Sequence, residues 1–244
     1  AYQGGVFKIE KGNSFRQVMQ VEKLPDLYRR VFSCYFDVRD GVLWIGTMNG
    51  GLFRIKDGKL MSPGNFLKKP GGHIVCLFKD KEDNLWIGAD SNGLLRLTGT
   101  SISALPLNGT IKNANYISSI SEDREGNLWV GTLDNGLLQM GNSKFTTFTQ
   151  KDGLANDYVE SVSEAQGGGL WIATNAGLFR LKNNNIKPFF SVRKGKIWLG
   201  EGSRPGKNRI IQPDFIIRDE LLCNYVTWVS DNPSGSLWIG TKHG

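Results

Sequence analysis

One short phrase returns along this chain at a nearly fixed interval, and it constrains the fold more than any other feature. Val42-Leu43-Trp44-Ile45-Gly46-Thr47 recurs as Asn84-Leu85-Trp86-Ile87-Gly88-Ala89, Asn127-Leu128-Trp129-Val130-Gly131-Thr132 and Gly169-Leu170-Trp171-Ile172-Ala173-Thr174. It appears twice more, as Lys196-Ile197-Trp198-Leu199-Gly200-Glu201 and Ser236-Leu237-Trp238-Ile239-Gly240-Thr241. Successive tryptophans lie 42, 43, 42, 27 and 40 residues apart. A period of about 40 residues means an array of one supersecondary unit, each burying its faces on its neighbours.

Each unit has the same internal order. A short apolar strand such as Tyr158-Val159-Glu160-Ser161-Val162-Ser163 leads into a polar turn such as Asp123-Arg124-Glu125-Gly126-Asn127. The tryptophan strand follows, then a second turn, then a strand opening on Gly-Leu: Gly51-Leu52-Phe53-Arg54, Gly93-Leu94-Leu95-Arg96, Gly136-Leu137-Leu138-Gln139, Gly177-Leu178-Phe179-Arg180. A weaker fourth strand closes the unit. Four short strands joined by hairpin-length turns predict an all-β chain, a β-propeller of four-stranded blades. Residues 1–244 are expected to form a single propeller domain, or most of one, as a fragment of a larger protein. About six repeats are visible, one of them incomplete.

In a stacked array both faces of every sheet are apolar. Trp44, Trp86, Trp129, Trp171, Trp198 and Trp238 are therefore expected in the core, each burying area worth roughly 4–6 kcal/mol before entropy. The glycine two residues on leaves room for a bulky side chain of the neighbouring sheet. Gly5–Ile9 and Ser14–Val18 match a third and a fourth strand, while Tyr225–Val229 and Leu237–Thr241 match a first and a second. The two termini are thus expected to share one closing blade, which would remove exposed edges. The interval between Trp171 and Trp198 is about 15 residues short of the period. Either that unit is degenerate or the sequence as written lacks a segment between Val192 and Gly195, and the second is expected.

Function classes fall away one by one. No run approaches the 18 apolar residues of a membrane helix, so any membrane association is expected only through segments outside this sequence. The net charge of +7 is scattered, without the clustered basic and aromatic residues of a nucleic-acid surface. Two histidines, His73 and His243, and no CxxC give no support for a metal, and no cofactor is expected. Cys34 and Cys76, each ten residues before a tryptophan where other units carry Ser119 and Ser161, read as small buried free thiols. No GxSxG elbow, Walker loop or HExxH occurs, and the segment is read as no enzyme.

The residues quoted resemble the two-component regulator propeller repeat, whose pattern is a strand ending in Asp, then Gly-Asn-Leu-Trp-Ile-Gly-Thr, then Gly-Leu with an apolar-basic-apolar strand. Asp123 through Leu138 matches it almost position for position, and Lys151 through Val159 looks like the segment between its blades. The resemblance implies a periplasmic or otherwise extracytoplasmic sensor module of hybrid histidine kinases or diguanylate cyclases. It further implies an oligosaccharide or other polar ligand, and a homodimer through the signalling assembly.

Blade connectivity places the segments entering the first strands on one face, around a central channel mouth. Those entrances carry Arg29 and Arg30, His73, Asn115 and Tyr116, Asp157 and Tyr158, and Asn224 and Tyr225. Recurrent tyrosine beside Asn or Asp offers stacking and hydrogen-bonding groups to a polar ligand. Lys68, Lys69 and Lys112, just upstream, favour an acidic one. Two other functions stay open beside this one: a protein-interaction scaffold, and a propeller lyase or hydrolase dependent on His73.

Overall fold

The computed structural model describes residues 5–9, 15–20, 30–48, 51–61, 72–91, 93–105, 116–141, 144–193, 196–199, 226–231 and 237–241. The chain divides into two compact units, Ala1–Leu107 with Asn115–Ile117, and Asn108–Ala114 with Ser118–Gly244. In the first, β1 (Gly5–Ile9) and β2 (Phe15–Gln20) form a two-stranded sheet. Two four-stranded sheets follow: β3 (Val31–Asp37), β4 (Val42–Thr47), β5 (Leu52–Lys56) and β6 (Lys59–Met61), then β7 (Ile74–Lys79), β8 (Leu85–Ala89), β9 (Leu94–Thr98) and β10 (Ser101–Ala104).

A third such sheet, nearly all in the second unit, is β11 (Ile117–Glu122), β12 (Leu128–Thr132), β13 (Leu137–Gly141) and β14 (Lys144–Phe148). The next has five strands, β15 (Val159–Glu164), β16 (Leu170–Thr174), β17 (Gly177–Lys182), β18 (Asn185–Arg193) and β19 (Lys196–Leu199). The last is a pair, β20 (Val226–Asp231) and β21 (Leu237–Thr241). Sequential strands pair antiparallel throughout, the up-and-down order of propeller blades.

Each letter of the repeated phrase has a physical task. Trp86 Nε1–H donates to Asp80 Oδ2 at 2.7 Å, and Trp129 Nε1–H to Asp123 Oδ2 at 2.7 Å. The same carboxylates accept the backbone N–H of Asn84 and of Asn127, each at 2.8 Å, so one aspartate fixes turn and indole together. Across the hairpin, Trp44, Trp86 and Trp171 face Arg54, Arg96 and Arg180, whose guanidinium carbons lie 5.9, 5.8 and 4.6 Å from the indole centroids. Thr47 and Thr132 donate through both N–H and Oγ1–H to the carbonyls of Gly51 and Gly136, closing the next turn. Gly136 takes φ 73° there, and a Cβ on it would collide with the Phe148 carbonyl.

The glycine after the tryptophan does receive the neighbouring sheet. A Cβ on Gly88 would lie 2.7 Å from Ile117 Cγ2, and one on Gly131 would lie 2.8 Å from Val159 Cγ1. Ile74 takes the same place over Gly46. Small polar residues beside these contacts complete the join: Ser33 Oγ–H donates to the Ile74 carbonyl at 3.0 Å, and Cys76 Sγ points to the Ile117 carbonyl at 3.9 Å.

The first blade departs from the rest by one residue. Asp37 precedes Trp44 by seven positions, where Asp80 and Asp123 precede their tryptophans by six. The residue paired with the motif glycine is consequently Ser33 opposite Gly46, not Cys34, whereas Cys76 sits opposite Gly88. A one-residue slip reverses the face of every side chain. Cys34 is accordingly exposed, along with Phe32, Phe36 and Val38, which corrects its expected place as a buried filler. Burial pushes the Cys76 thiol up to about 12. A maleimide at pH 7.5 is expected to label Cys34 within minutes and Cys76 only on unfolding. Equal labelling of both, mapped by peptide mass, would contradict the register.

Trp86, Trp129 and Trp171 are 2%, 5% and 8% exposed. Trp44 is half-buried, and its Nε1–H finds no acceptor because Asp37 is engaged elsewhere. Two expectations need correcting. Trp238 is 61% exposed: Leu237 and Ile239 pack on the core from one face of β21, and among the described residues no sheet covers the other. The Trp198 strand opens no new blade. Without a first strand to pair with, β19 adds to the edge of β18, with Val192 opposite Ile197. The side chain of Trp198 lies outside those described. At the termini β1 pairs with β2 and β20 with β21, each pair a two-stranded sheet of its own, so the shared four-stranded closing blade expected of them is not formed among the described residues.

Candidate functional site

In the first unit three first strands begin Arg30-Val31, His73-Ile74 and Tyr116-Ile117. Arg30 is exposed, its carbonyl accepting the Met48 N–H at 2.9 Å while Nη1 approaches Met48 Sδ at 3.7 Å. His73 is built into its place from two sides. Its backbone N–H donates to Asp90 Oδ1 at 2.7 Å, and its carbonyl accepts the Asp90 N–H at 3.2 Å. Ser91 Oγ–H donates to the same Oδ1 at 3.0 Å. Gly72, at φ 82°, lies so close that a Cβ there would strike the Asp90 carboxylate. The imidazole stacks on the Phe32 ring at 5.0 Å with 21° between planes, reaching from β7 to β3.

The pairing of His73 and Asp90 is no hydrogen-bonded dyad. Nε2 is 3.7 Å from Asp90 Oδ2, beyond hydrogen-bond range, and the carboxylate serves the backbone instead. Phe32 and Asp90 were not candidates from sequence. An aromatic in a strand reads as core, and Asp90 acquires its role only through the turn that returns β8 beside the start of β7.

In the second unit the corresponding end carries Asp157 and Tyr158. Asp157 Oδ1 accepts the Gln150 N–H at 2.7 Å and the Asp157 carbonyl accepts the Gly136 N–H at 2.8 Å. These bonds fasten a single 3-10 turn, Gln150–Asp152, which Thr149 caps in reciprocal contact with Asp152 and Gly153 ends at φ 115°. Leu154, 4% exposed, plugs the segment into the core. Asp157 therefore spends its carboxylate on the loop. Tyr158 is half-buried, with its N–H on Asn156 Oδ1 at 2.8 Å. Arg29, Asn115, Asn224 and Tyr225 lie outside the described residues, as do Lys68, Lys69 and Lys112.

At the opposite end of the first-unit strands sits a charge cluster. Lys79, its side chain 8% exposed, donates to the Asp37 carboxylate, itself 2% exposed, and to Asp83 Oδ1 at 2.9 Å. Asp40 Oδ2 is 3.6 Å away, and Arg39 Nε reaches Asp37 Oδ1 at 3.3 Å.

The description Two component regulator propeller matches the chain in two places, residues 68–91 and 112–134. No curated protein sequence matches it. Among solved structures it resembles a streptogramin B lyase, with a TM-score of 0.67 at 16% identity over 97% of this chain and 69% of that one. The virginiamycin B lyase of Staphylococcus aureus gives 0.63 at 15% identity over 90% of this chain and 65% of that one. PorZ, a surface component of the type-IX secretion system of Porphyromonas gingivalis, gives 0.60 at 16% identity over 100% of this chain. The chain spans 35% of PorZ and 65% of the staphylococcal lyase. These likenesses establish the fold. The chain has the β-propeller fold, and its residues 68–91 and 112–134 match the two-component regulator propeller.

Proposed function

We propose that this chain is the ligand-sensing, extracytoplasmic propeller of a two-component signalling protein of the hybrid histidine kinase type, binding an oligosaccharide or another polar ligand. The observation that carries the reading is the repeat itself, whose match to the regulator family spans residues 68–91 and 112–134. It is supported by the strand-start residues of the first unit, where a cation, an imidazole and aromatic rings occupy one end of neighbouring strands without the geometry of a catalytic dyad. The fold by itself assigns no activity. Thermal-shift titration with neutral and acidic oligosaccharides tests the proposal. A rise of several degrees with at least one saccharide is expected, since binding to the folded state alone stabilises it. A flat response across the whole set removes the sensor reading.

A protein-interaction scaffold is the second reading, favoured by the exposure of Trp228 and Trp238, 51% and 61%. It requires association of the purified chain with itself or a partner protein, visible in light scattering and lost on Trp228→Ser.

A further inference from the structure

We infer that the ligand taken at the strand-start end of the first unit is an acidic saccharide, its carboxylate held by Arg30 and its ring stacked on Phe32. This rests on the sensor reading and sharpens it to one ligand class and two residues.

The repeat itself isolates these two side chains. Where the first blade has Arg30, the others begin with His73, Tyr116 and Tyr158. Where it has Phe32, they carry Val75, Ser118, Glu160 and Thr227. Packing of the array therefore calls for neither residue at its position. Phe32 stands at the irregularity between Val31 and Ser33, which lifts it out of the ladder and leaves it 49% exposed. An aromatic ring held half in water gives up burial that any other blade obtains with a smaller residue.

The ring is nonetheless fixed. Its stack on His73 orients it, and His73 is pinned by Asp90, whose own position demands Gly72. A preorganised aromatic face loses little entropy on binding and suits the C–H face of a pyranose. The charge beside it is equally specific. Among the described residues the Arg30 guanidinium contacts the Met48 thioether, a weak acceptor, and the Arg30 carbonyl is tied by the Met48 N–H, so the exposed guanidinium is offered to a carboxylate. The Asp90 carboxylate is only 18% exposed, and its Oδ1 is directed to the His73 N–H and the Ser91 Oγ–H. Two residues of extended chain separate Arg30 from Phe32 by about 6–7 Å, the scale of one sugar ring with its exocyclic carboxylate.

The test uses a matched pair of probes, oligogalacturonate and its carboxyl-reduced neutral counterpart, titrated calorimetrically into the wild-type chain, Arg30→Gln and Phe32→Ala. Both substitutions are at exposed positions, and unchanged melting temperatures certify the fold. Wild type is expected to bind the acidic oligomer at least about 10-fold tighter than the neutral one. Arg30→Gln should erase that preference, and Phe32→Ala should weaken the acidic oligomer by about 10-fold. Equal binding of both oligomers, or acidic binding indifferent to both substitutions, overturns this inference and leaves the sensor reading standing. Silence of both oligomers overturns it too, and the sensor reading falls with it only if the wider saccharide set is silent as well.

Discussion

Gly88→Ala is expected to destabilise the protein by about 2–3 kcal/mol, and Gly88→Val by more, although neither residue is large. The added Cβ would meet Ile117 Cγ2 at 2.7 Å and Ile117 Cβ at 3.0 Å, with the Cys76 thiol closer still. None of these can retreat: Ile117 is 0% exposed and Cys76 is locked opposite Gly88 in the ladder. Inserting atoms into such an interface moves backbone, because packed interiors have no free volume to absorb a methyl group. Coupling separates this cause from a generic loss of glycine. Ile117→Ala alone should cost about 2–5 kcal/mol through the cavity it opens. The double variant Gly88→Ala with Ile117→Ala should then be more stable than the two single costs together imply, by about 1 kcal/mol or more, measured by urea unfolding. Strict additivity would mean that the two positions do not touch.

That contact was legible from sequence, and the reason is instructive. A glycine repeated at a strand position where β-branched residues would be preferred needs a steric explanation, and stacking supplies it at Gly46, Gly88 and Gly131 alike. The tryptophan–aspartate bond was half legible: Asp80 and Asp123 were readable as turn-orienting residues, but their indole partners depend on how the strand carries the ring back over the turn. Register in the first blade was not legible. The additional residue between Asp37 and Trp44 is plain in the sequence, yet only the pairing of Asp37 with Val42 shows that it lies in the turn between them, which leaves Ser33 and not Cys34 opposite Gly46.

The candidate site divides the same way. Strand-start positions were found by period alone, which places Arg30, His73, Tyr116 and Tyr158 correctly along their strands. Period says nothing about what a side chain does with its hydrogen-bonding capacity. Asp157 and Asp90 look alike as loop carboxylates in the sequence, and each accepts a backbone N–H, Asp157 from Gln150 in its own loop and Asp90 from His73 at the entrance to the preceding strand. Nor does period reveal exposure: Trp238 carries the same motif as Trp129, and 61% against 5% is decided by whether a sheet lies above it.

Lys79→Met should cost about 3–5 kcal/mol, because it strands a carboxylate that was taken out of water on the strength of one ammonium. Asp37 is 2% exposed, and with Lys79 gone only the partly exposed Arg39 remains beside it. Replacing both members, Lys79→Met with Asp37→Asn, should recover most of the loss, since two neutral groups of similar volume carry no desolvation debt. The pH dependence identifies the same pair. The Lys79 hydrogen bond, assisted by Arg39, holds the Asp37 carboxyl down at about 2 from its ordinary 3.8, against the opposing effect of burial. A carboxyl lowered in the folded state adds stability that is complete above 3.8 and is lost as the pH falls through 2. Burial pushes Lys79 down, but its bonds to Asp37 and Asp83 together with the charges of Asp37 and Asp40 leave it raised on balance, so its own share is lost only above the ordinary lysine range. Urea unfolding of wild type and Asp37→Asn between pH 5 and 2 should therefore give curves that converge toward acid, the difference shrinking as Asp37 protonates. Parallel curves across that interval would show that Asp37 is not held by Lys79.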